Sequence, residues 1–249
     1  DILGPAMSGR PGPTNLPSSD PFYQALETAV TQLDREVNRR FGYGPAIIVG
    51  NVPDPLATPF FVPRALYDMM QGQTELDPEI VYILFPHLTE LLQGGDFDAN
   101  EIDARTLTET EAAAVAAKVE EYNDRVLELR DVHQVGLADV HTALATLDDQ
   151  ARTHLALLMS VYQQDLETAA ATTRYSLDGV HPNPAGYAVI ANVFLDEVNV
   201  ALGLDLAPLP EALPWDPTYG QATPGLRAAA PDRPRLTPAA RAVLTGLRP

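Results

Sequence analysis

Ser176-Leu177-Asp178-Gly179-Val180-His181-Pro182-Asn183-Pro184-Ala185-Gly186-Tyr187 sets a carboxylate and an imidazole three residues apart, directly before a helix start signal. Asn183 suits a helix cap and Pro184 the first helical position. The apolar residues after them predict a helix to about Leu202, ended by Gly203. The spacing puts Asp178 and His181 in one tight loop. A carboxylate there can accept the imidazole Nδ1–H, fix the tautomer and leave Nε2 to take a proton from a hydroxyl nucleophile. The same spacing also occurs as ordinary turn chemistry, with an Asp that shapes the turn and a His that leads the helix.

Upstream of this loop, Val135-Gly136-Leu137-Ala138-Asp139-Val140 reads as a short strand, followed by a helical stretch over roughly 141–171. Residues 108–130 predict a helix. Thr108 and Glu111 form a capping box, and Val115, Val119, Tyr122, Val126 and Leu129 line one face. Pro45-Ala46-Ile47-Ile48-Val49-Gly50-Asn51 reads as a buried parallel strand, closed by the loop Val52-Pro53-Asp54-Pro55. Residues 60–94 read as apolar and partly helical, interrupted by Pro63, Pro78 and Pro86. Residues 22–40 predict an amphipathic helix with Phe22, Leu26, Ala29, Val30, Leu33 and Val37 on one face, started by Asp20-Pro21. Residues 1–21 read as a loop. Helices alternating with strands predict an α/β domain with a parallel sheet. Two strands are too few to stand alone, which points to strands outside this sequence. From Ala207 the chain turns rich in Pro, Ala and Arg. The expected division is therefore a domain over 1–206 and an extended tail over 207–249, with a short helix near 237–247.

With 249 residues, 45% of them apolar, the chain can bury a normal core. Its formal charge of −18 repels a phosphate backbone, so no nucleic-acid partner is expected. The absence of cysteine removes thiol catalysis, disulfides and Cys-based zinc sites. No run of about 18 uncharged apolar residues predicts a transmembrane helix. The opening Asp1-Ile2-Leu3-Gly4-Pro5 has neither the basic nor the apolar region of a signal peptide, and reads as a phrase cut from a longer sequence. His87, His133, His141 and His154 show no metal-binding spacing and are expected to be ordinary core or surface residues. Asn51 and Asp54 follow a strand's carboxyl end, where α/β sheets place their sites, but both are also loop-forming residues.

The block from Ser176 to Tyr187, with the apolar helix through Val198-Asn199, resembles the last block of the SGNH/GDSL hydrolases. Ile47 to Pro55 with Pro59-Phe60-Phe61 resembles the strand and loop after the family's third block. Leu107-Thr108 through Tyr122-Asn123 resembles its long helix, and Leu137-Ala138-Asp139-Val140 the strand after that helix. The resemblance covers roughly residues 1–206. It implies a three-layer α/β/α (flavodoxin-like) fold with a parallel sheet, truncated at its N-terminus. It also implies that Asp178 and His181 are the acid and base of a Ser-His-Asp triad. The family's Gly-Asp-Ser block, with the nucleophile, and its Gly and Asn oxyanion donors are not found here. Asp1-Ile2-Leu3-Gly4 resembles the stretch just after the family's oxyanion Asn. None of Ser8, Ser18, Ser19, Ser160 and Ser176 stands in a Gly-Asp-Ser turn, and Ser176 reads as a turn hydroxyl.

The resemblance therefore implies a carboxylic-ester hydrolase, lipase- or esterase-like, present without its nucleophile and inactive as given. Its substrate would be a small-molecule or lipid ester. It implies no metal or organic cofactor. Exported and cell-envelope locations are common in the family; the residues themselves leave location, ester preference and oligomeric state open. The rival reading is a non-enzymatic helical interaction module that keeps the motif as a relic.

Overall fold

Thr108 sets the start of the longest helix among the described residues. Its hydroxyl accepts the Glu111 N–H, and the Glu111 carboxylate accepts the Thr108 N–H at 2.9 Å, so the expected capping box forms. A computed structural model describes residues 3–7, 11, 15–71, 76–92, 105–145, 174–176 and 178–210. In chain order they form α1 (Leu3–Met7), α2 (Ser19–Phe41), β1 (Ile48–Gly50), a 3-10 turn (Pro55–Ala57), β2 (Phe61–Pro63), α3 (Arg64–Gln71), β3 (Ile80–Leu84), α4 (Phe85–Leu92), β4 (Thr106–Thr108), α5 (Glu109–His133), β5 (Gly136–Ala138), α6 (Val140–Ala145) and α7 (Pro184–Leu202). The chain is α/β and contains a parallel strand pair, as expected.

β1 and β5 form that parallel pair, with Ile48 opposite Gly136, Val49 opposite Leu137 and Gly50 opposite Ala138. Side chains alternate across it. Ile47 and Val49 pack with Val30 of α2, Leu129 of α5 and Val135. Ile48 packs on the other face with Ala138, Val140 and the α7 residues Ile190, Val193 and Phe194. Gly50 makes room for this second contact: a Cβ there would lie 2.9 Å from the Phe194 ring, which would have to shift. Helices thus cover both faces of the pair.

Residues 60–94 depart from expectation. They supply two strands as well as two helices, and with β4 they build an antiparallel sheet in the order β2-β3-β4. Phe61 pairs with Leu84 and Val62 with Ile83, while Leu107 pairs with Tyr82. The prolines delimit these elements rather than break a helix: Pro63 ends β2, Pro78 precedes β3 and Pro86 falls in the first turn of α4. This sheet carries the largest core, with Phe61, Val62, Ile83, Leu84 and Leu107 against Leu66, Leu88, Val115 and Val119.

The five expected core positions of α5 are all buried. α2 follows its prediction only in part. Ser18 caps it and Gly42, at φ 77°, ends it. Val30 is buried and Phe22 stacks on Tyr122 at 4.7 Å, but Leu33 is 49% exposed. The helix is 23 residues long, about 34 Å, while each strand of the pair has three residues and spans about 10 Å, so its second half runs past the sheet. Leu3–Met7 is helical where a loop was expected. Of the stretch 141–171 only Val140–Ala145 is described, and it is helical. The expected helix near 237–247 lies outside the described residues.

α7 has the predicted bounds, with Asn183 as cap, Pro184 in its first turn and Gly203 at φ 62° after its end. Among the described residues it is the one helix long and apolar enough to cross a membrane. It carries Asp196 and Glu197 side by side, which hydrocarbon disfavours, and its apolar side chains dock on the parallel pair. After Gly203 the chain runs back along α7. The Asn199 side chain exchanges two hydrogen bonds with the Leu206 backbone (2.8 and 3.1 Å), and the Asn192 side chain does the same with Leu209 (2.7 and 3.0 Å). The first residues of the expected tail are therefore tied to the domain.

Glu121 joins α5 to the start of α2. It accepts from Lys118 and, at 3.2 Å, from the Ser19 N–H. The Lys118 ammonium, followed by Ser19, holds its carboxyl down at about 2. A carboxyl lowered on folding stabilises the fold above its unfolded value, about 4.3, and loses that effect as pH falls toward 2. Glu121→Gln should lower the free energy of urea unfolding at pH 7 modestly, by no more than about 1 kcal/mol for so exposed a pair. The gap between variant and parent should close as pH is lowered from about 4 to about 2. A gap of the same size at pH 7 and pH 2 would show that Glu121 acts through shape rather than charge.

Candidate active site

The loop before α7 is closed at its neck by an antiparallel bridge between Tyr175 and Pro182. The Ser176 N–H donates to the His181 carbonyl at 2.8 Å, and the Asn183 N–H to the Arg174 carbonyl at 2.9 Å. Two glycines make this path possible. Gly179 has φ 72°, a left-handed conformation that other residues adopt at a cost. Gly186 brings the first turn of α7 against Arg174, whose carbonyl oxygen would lie 2.1 Å from an added Cβ. The Asn183 side chain accepts the Gly186 N–H at 3.0 Å and so starts the helix on the far side of the neck.

Inside this loop the structure brings Asp178 and His181 together. His181 Nδ1 lies 2.7 Å from Asp178 Oδ2, within hydrogen-bond reach. The other carboxylate oxygen, Oδ1, accepts the Ser176 hydroxyl (2.7 Å), the Val180 N–H (2.9 Å) and the His181 N–H (3.0 Å). Burial pushes the Asp178 carboxyl up. The Ser176 hydroxyl, the His181 ring and the two backbone amides outweigh it and hold the group far below the usual carboxylate range. Asp178 is therefore an anion at neutral pH, and it can only accept. The proton shared with it must sit on Nδ1, which leaves the Nε2 lone pair free in the neutral ring. The imidazole side chain is 71% exposed, and no described residue hydrogen-bonds its Nε2.

One backbone contact places the loop relative to the sheets. The Phe60 N–H donates to the Gly179 carbonyl at 3.0 Å, and the Phe60 carbonyl accepts the Phe85 N–H at 2.8 Å. The dyad thus sits against the chain that leaves β1 and enters β2. Asn51 and Asp54 serve this connection rather than the dyad. Asn51 donates to Asp139 Oδ1 at 2.7 Å and accepts the His141 N–H at 2.7 Å, joining the carboxyl ends of β1 and β5. Asp54 caps the 3-10 turn through the Leu56 N–H. Asn123 adds a second tie, holding both the N–H and the carbonyl of Val52. Burial raises Asp139, but bonds from Asn51 and Thr142 bring it below its ordinary value. Sequence reasoning missed this latch. Its only signal was polar residues at two strand ends, and Asn51 and Asp139 lie 88 positions apart.

The remaining candidates are elsewhere. Ser18 caps α2, and Ser19 is buried beside Glu121. The Ser176 hydroxyl faces Asp178 and the His181 carbonyl, not Nε2. His87 is buried on α4, its Nδ1 3.1 Å from Arg105, and His133 faces Glu27 at 3.5 Å. His141 lies against Val52. Ser8, Ser160 and His154 lie outside the described residues. Among the described residues no group of three His, Asp or Glu side chains could hold a metal ion. Comparison with protein-family models, with curated proteins and with solved structures found no match.

Gly179→Ala tests the anchoring of the loop. The new Cβ would stand 3.1 Å from the Phe60 nitrogen in a left-handed backbone. A loss of about 1–2 kcal/mol in urea unfolding is expected, from the backbone term alone. The His181 Nδ1–H resonance should broaden or vanish. Unchanged stability and an intact Nδ1–H signal would mean that the loop does not need this conformation.

Proposed function

We propose that the chain supplies the acid–base half of an SGNH-type carboxylic-ester hydrolase, with the three-layer α/β/α fold of that family. The observation that carries the reading is the 2.7 Å contact between His181 Nδ1 and Asp178 Oδ2 beside an exposed Nε2. The resemblance of the surrounding block and the helices on both faces of the parallel pair support it.

A serine from a segment outside these residues would attack the ester carbonyl as its hydroxyl proton passes to His181 Nε2. The imidazolium would then be held by the Asp178 anion. Collapse of the tetrahedral intermediate breaks the ester C–O bond, and His181 returns the proton to the leaving alcohol. In the second half, water gives a proton to His181 as it attacks the acyl-serine carbonyl; the acyl C–O bond to the serine then breaks, the serine oxygen takes the proton back from His181, and the acid is released. Oxyanion donors would come from the same outside segment as the serine. The substrate would be a small-molecule or lipid ester.

The 249 residues alone should not turn over a short p-nitrophenyl ester. Loss of the nucleophile and oxyanion donors removes factors of roughly 10² or more each. In a longer polypeptide carrying a Gly-Asp-Ser segment upstream, ester hydrolysis should appear. There His181→Ala should nearly abolish kcat, and Asp178→Asn should lower it by up to about 10⁴. His87→Ala, His133→Ala, His141→Ala and His154→Ala should each stay within a few-fold. Near-normal kcat in His181→Ala, with loss in one of the other four, would overturn the assignment of the base.

A further inference from the structure

We propose that Ser176 is a positioning residue of the Asp178–His181 pair, whose hydroxyl locks the carboxylate so that one oxygen is left for the imidazole. This rests on the reading of that pair as an acid–base dyad. The Ser176 hydroxyl has one hydrogen and two acceptors in reach: Asp178 Oδ1 at 2.7 Å and the His181 carbonyl at 3.0 Å. The carbonyl already receives the Ser176 N–H. The shorter bond to an anion is the stronger one, so the hydrogen goes to Oδ1.

With it Oδ1 has three donors, two from the backbone and one from Ser176. Oδ2 has the imidazole. Rotation of the carboxylate about its Cβ–Cγ bond would give up all of these at once. Without the hydroxyl, Oδ1 keeps the two backbone donors, and that rotation costs one charge-assisted bond less. The carboxylate then swings more widely, and the acceptor that selects the Nδ1–H tautomer is less fixed. The neck of the loop does not need the hydroxyl, because its bonds run from Ser176 N and to Ser176 O. Alanine at this position should therefore fold.

The test uses the 249-residue chain and nitrogen-15 spectra of His181 at alkaline pH, with the ring neutral. The parent should show mainly the Nδ1–H tautomer. Ser176→Ala should shift the tautomer ratio toward Nε2–H by about threefold or more, a part of the roughly tenfold that a hydrogen bond to a charged group is worth. Ser176→Thr, which keeps the hydroxyl, should restore the parent ratio. Ser176→Cys, with a weak donor, should fall between, and it serves if the alanine variant is unstable. A ratio that is the same in the parent, Ser176→Ala and Ser176→Cys overturns the proposal, as does a threonine variant that behaves like alanine. None of these readings needs ester hydrolysis. Failure of the hydrolase reading would show as a reconstituted chain without activity, and failure of this one as tautomers indifferent to Ser176.

Discussion

Val115 and Leu129 are both fully buried on one helix, about 21 Å apart along its axis. Val115, Val119 and Tyr122 belong to the core built on the antiparallel sheet, and Leu129 to the core on one face of the parallel pair. Among the described residues the two sheets share no strand. The apolar stripe of α5 is what holds them in one body, and the capping box at Thr108 sets where that stripe begins. Because β4 runs directly into that cap, the antiparallel sheet and the helix start are fixed by the same residue.

The dyad inherits its position from this arrangement by two routes. α7 docks on the far face of the parallel pair and carries the loop at its N-terminal end. Phe60, entering β2, holds the loop from the other side through Gly179. The exposed imidazole is thus fixed by backbone at both ends of a six-residue turn, without being buried. Its orientation comes from charge-assisted bonds to Asp178 rather than from packing, which leaves Nε2 open to a reacting group.

The parts legible in the sequence were those with local signals. α5 announced itself by a cap and a stripe, α7 by Asn183-Pro184 and Gly203, and β1 and β5 by short apolar runs. Asp178 and His181 were legible because both lie in one turn. The antiparallel sheet was not. β2 runs directly into α3 and β3 directly into α4, so each apolar run continues across the border between strand and helix and does not separate the two. The pairing of Phe61 with Leu84 and of Leu107 with Tyr82 is a tertiary fact that no window of residues contains. Thr106-Leu107 directly precedes the capping box of α5, and two residues carry no periodicity of their own. Leu33 misled in the opposite sense: periodicity identified its face of α2, but the strands beneath are too short to cover it.

The clip formed by Asn192 and Asn199 has a consequence for what this part of the chain can tolerate. The asparagines are seven residues apart on a helix, a rise of about 10.5 Å, and they grip Leu206 and Leu209, whose three extended steps cover about 10 Å. Two different polymer geometries come into register there. The grip is on main-chain N–H and C=O groups, so side-chain identity at 206 and 209 is free to drift as long as proline is avoided. The spacing of the two amides has no such freedom. Moving either one along α7 by a single position would turn it about 100° away from the strap. Variation should therefore accumulate in the strap that is held, and not in the asparagines that hold it.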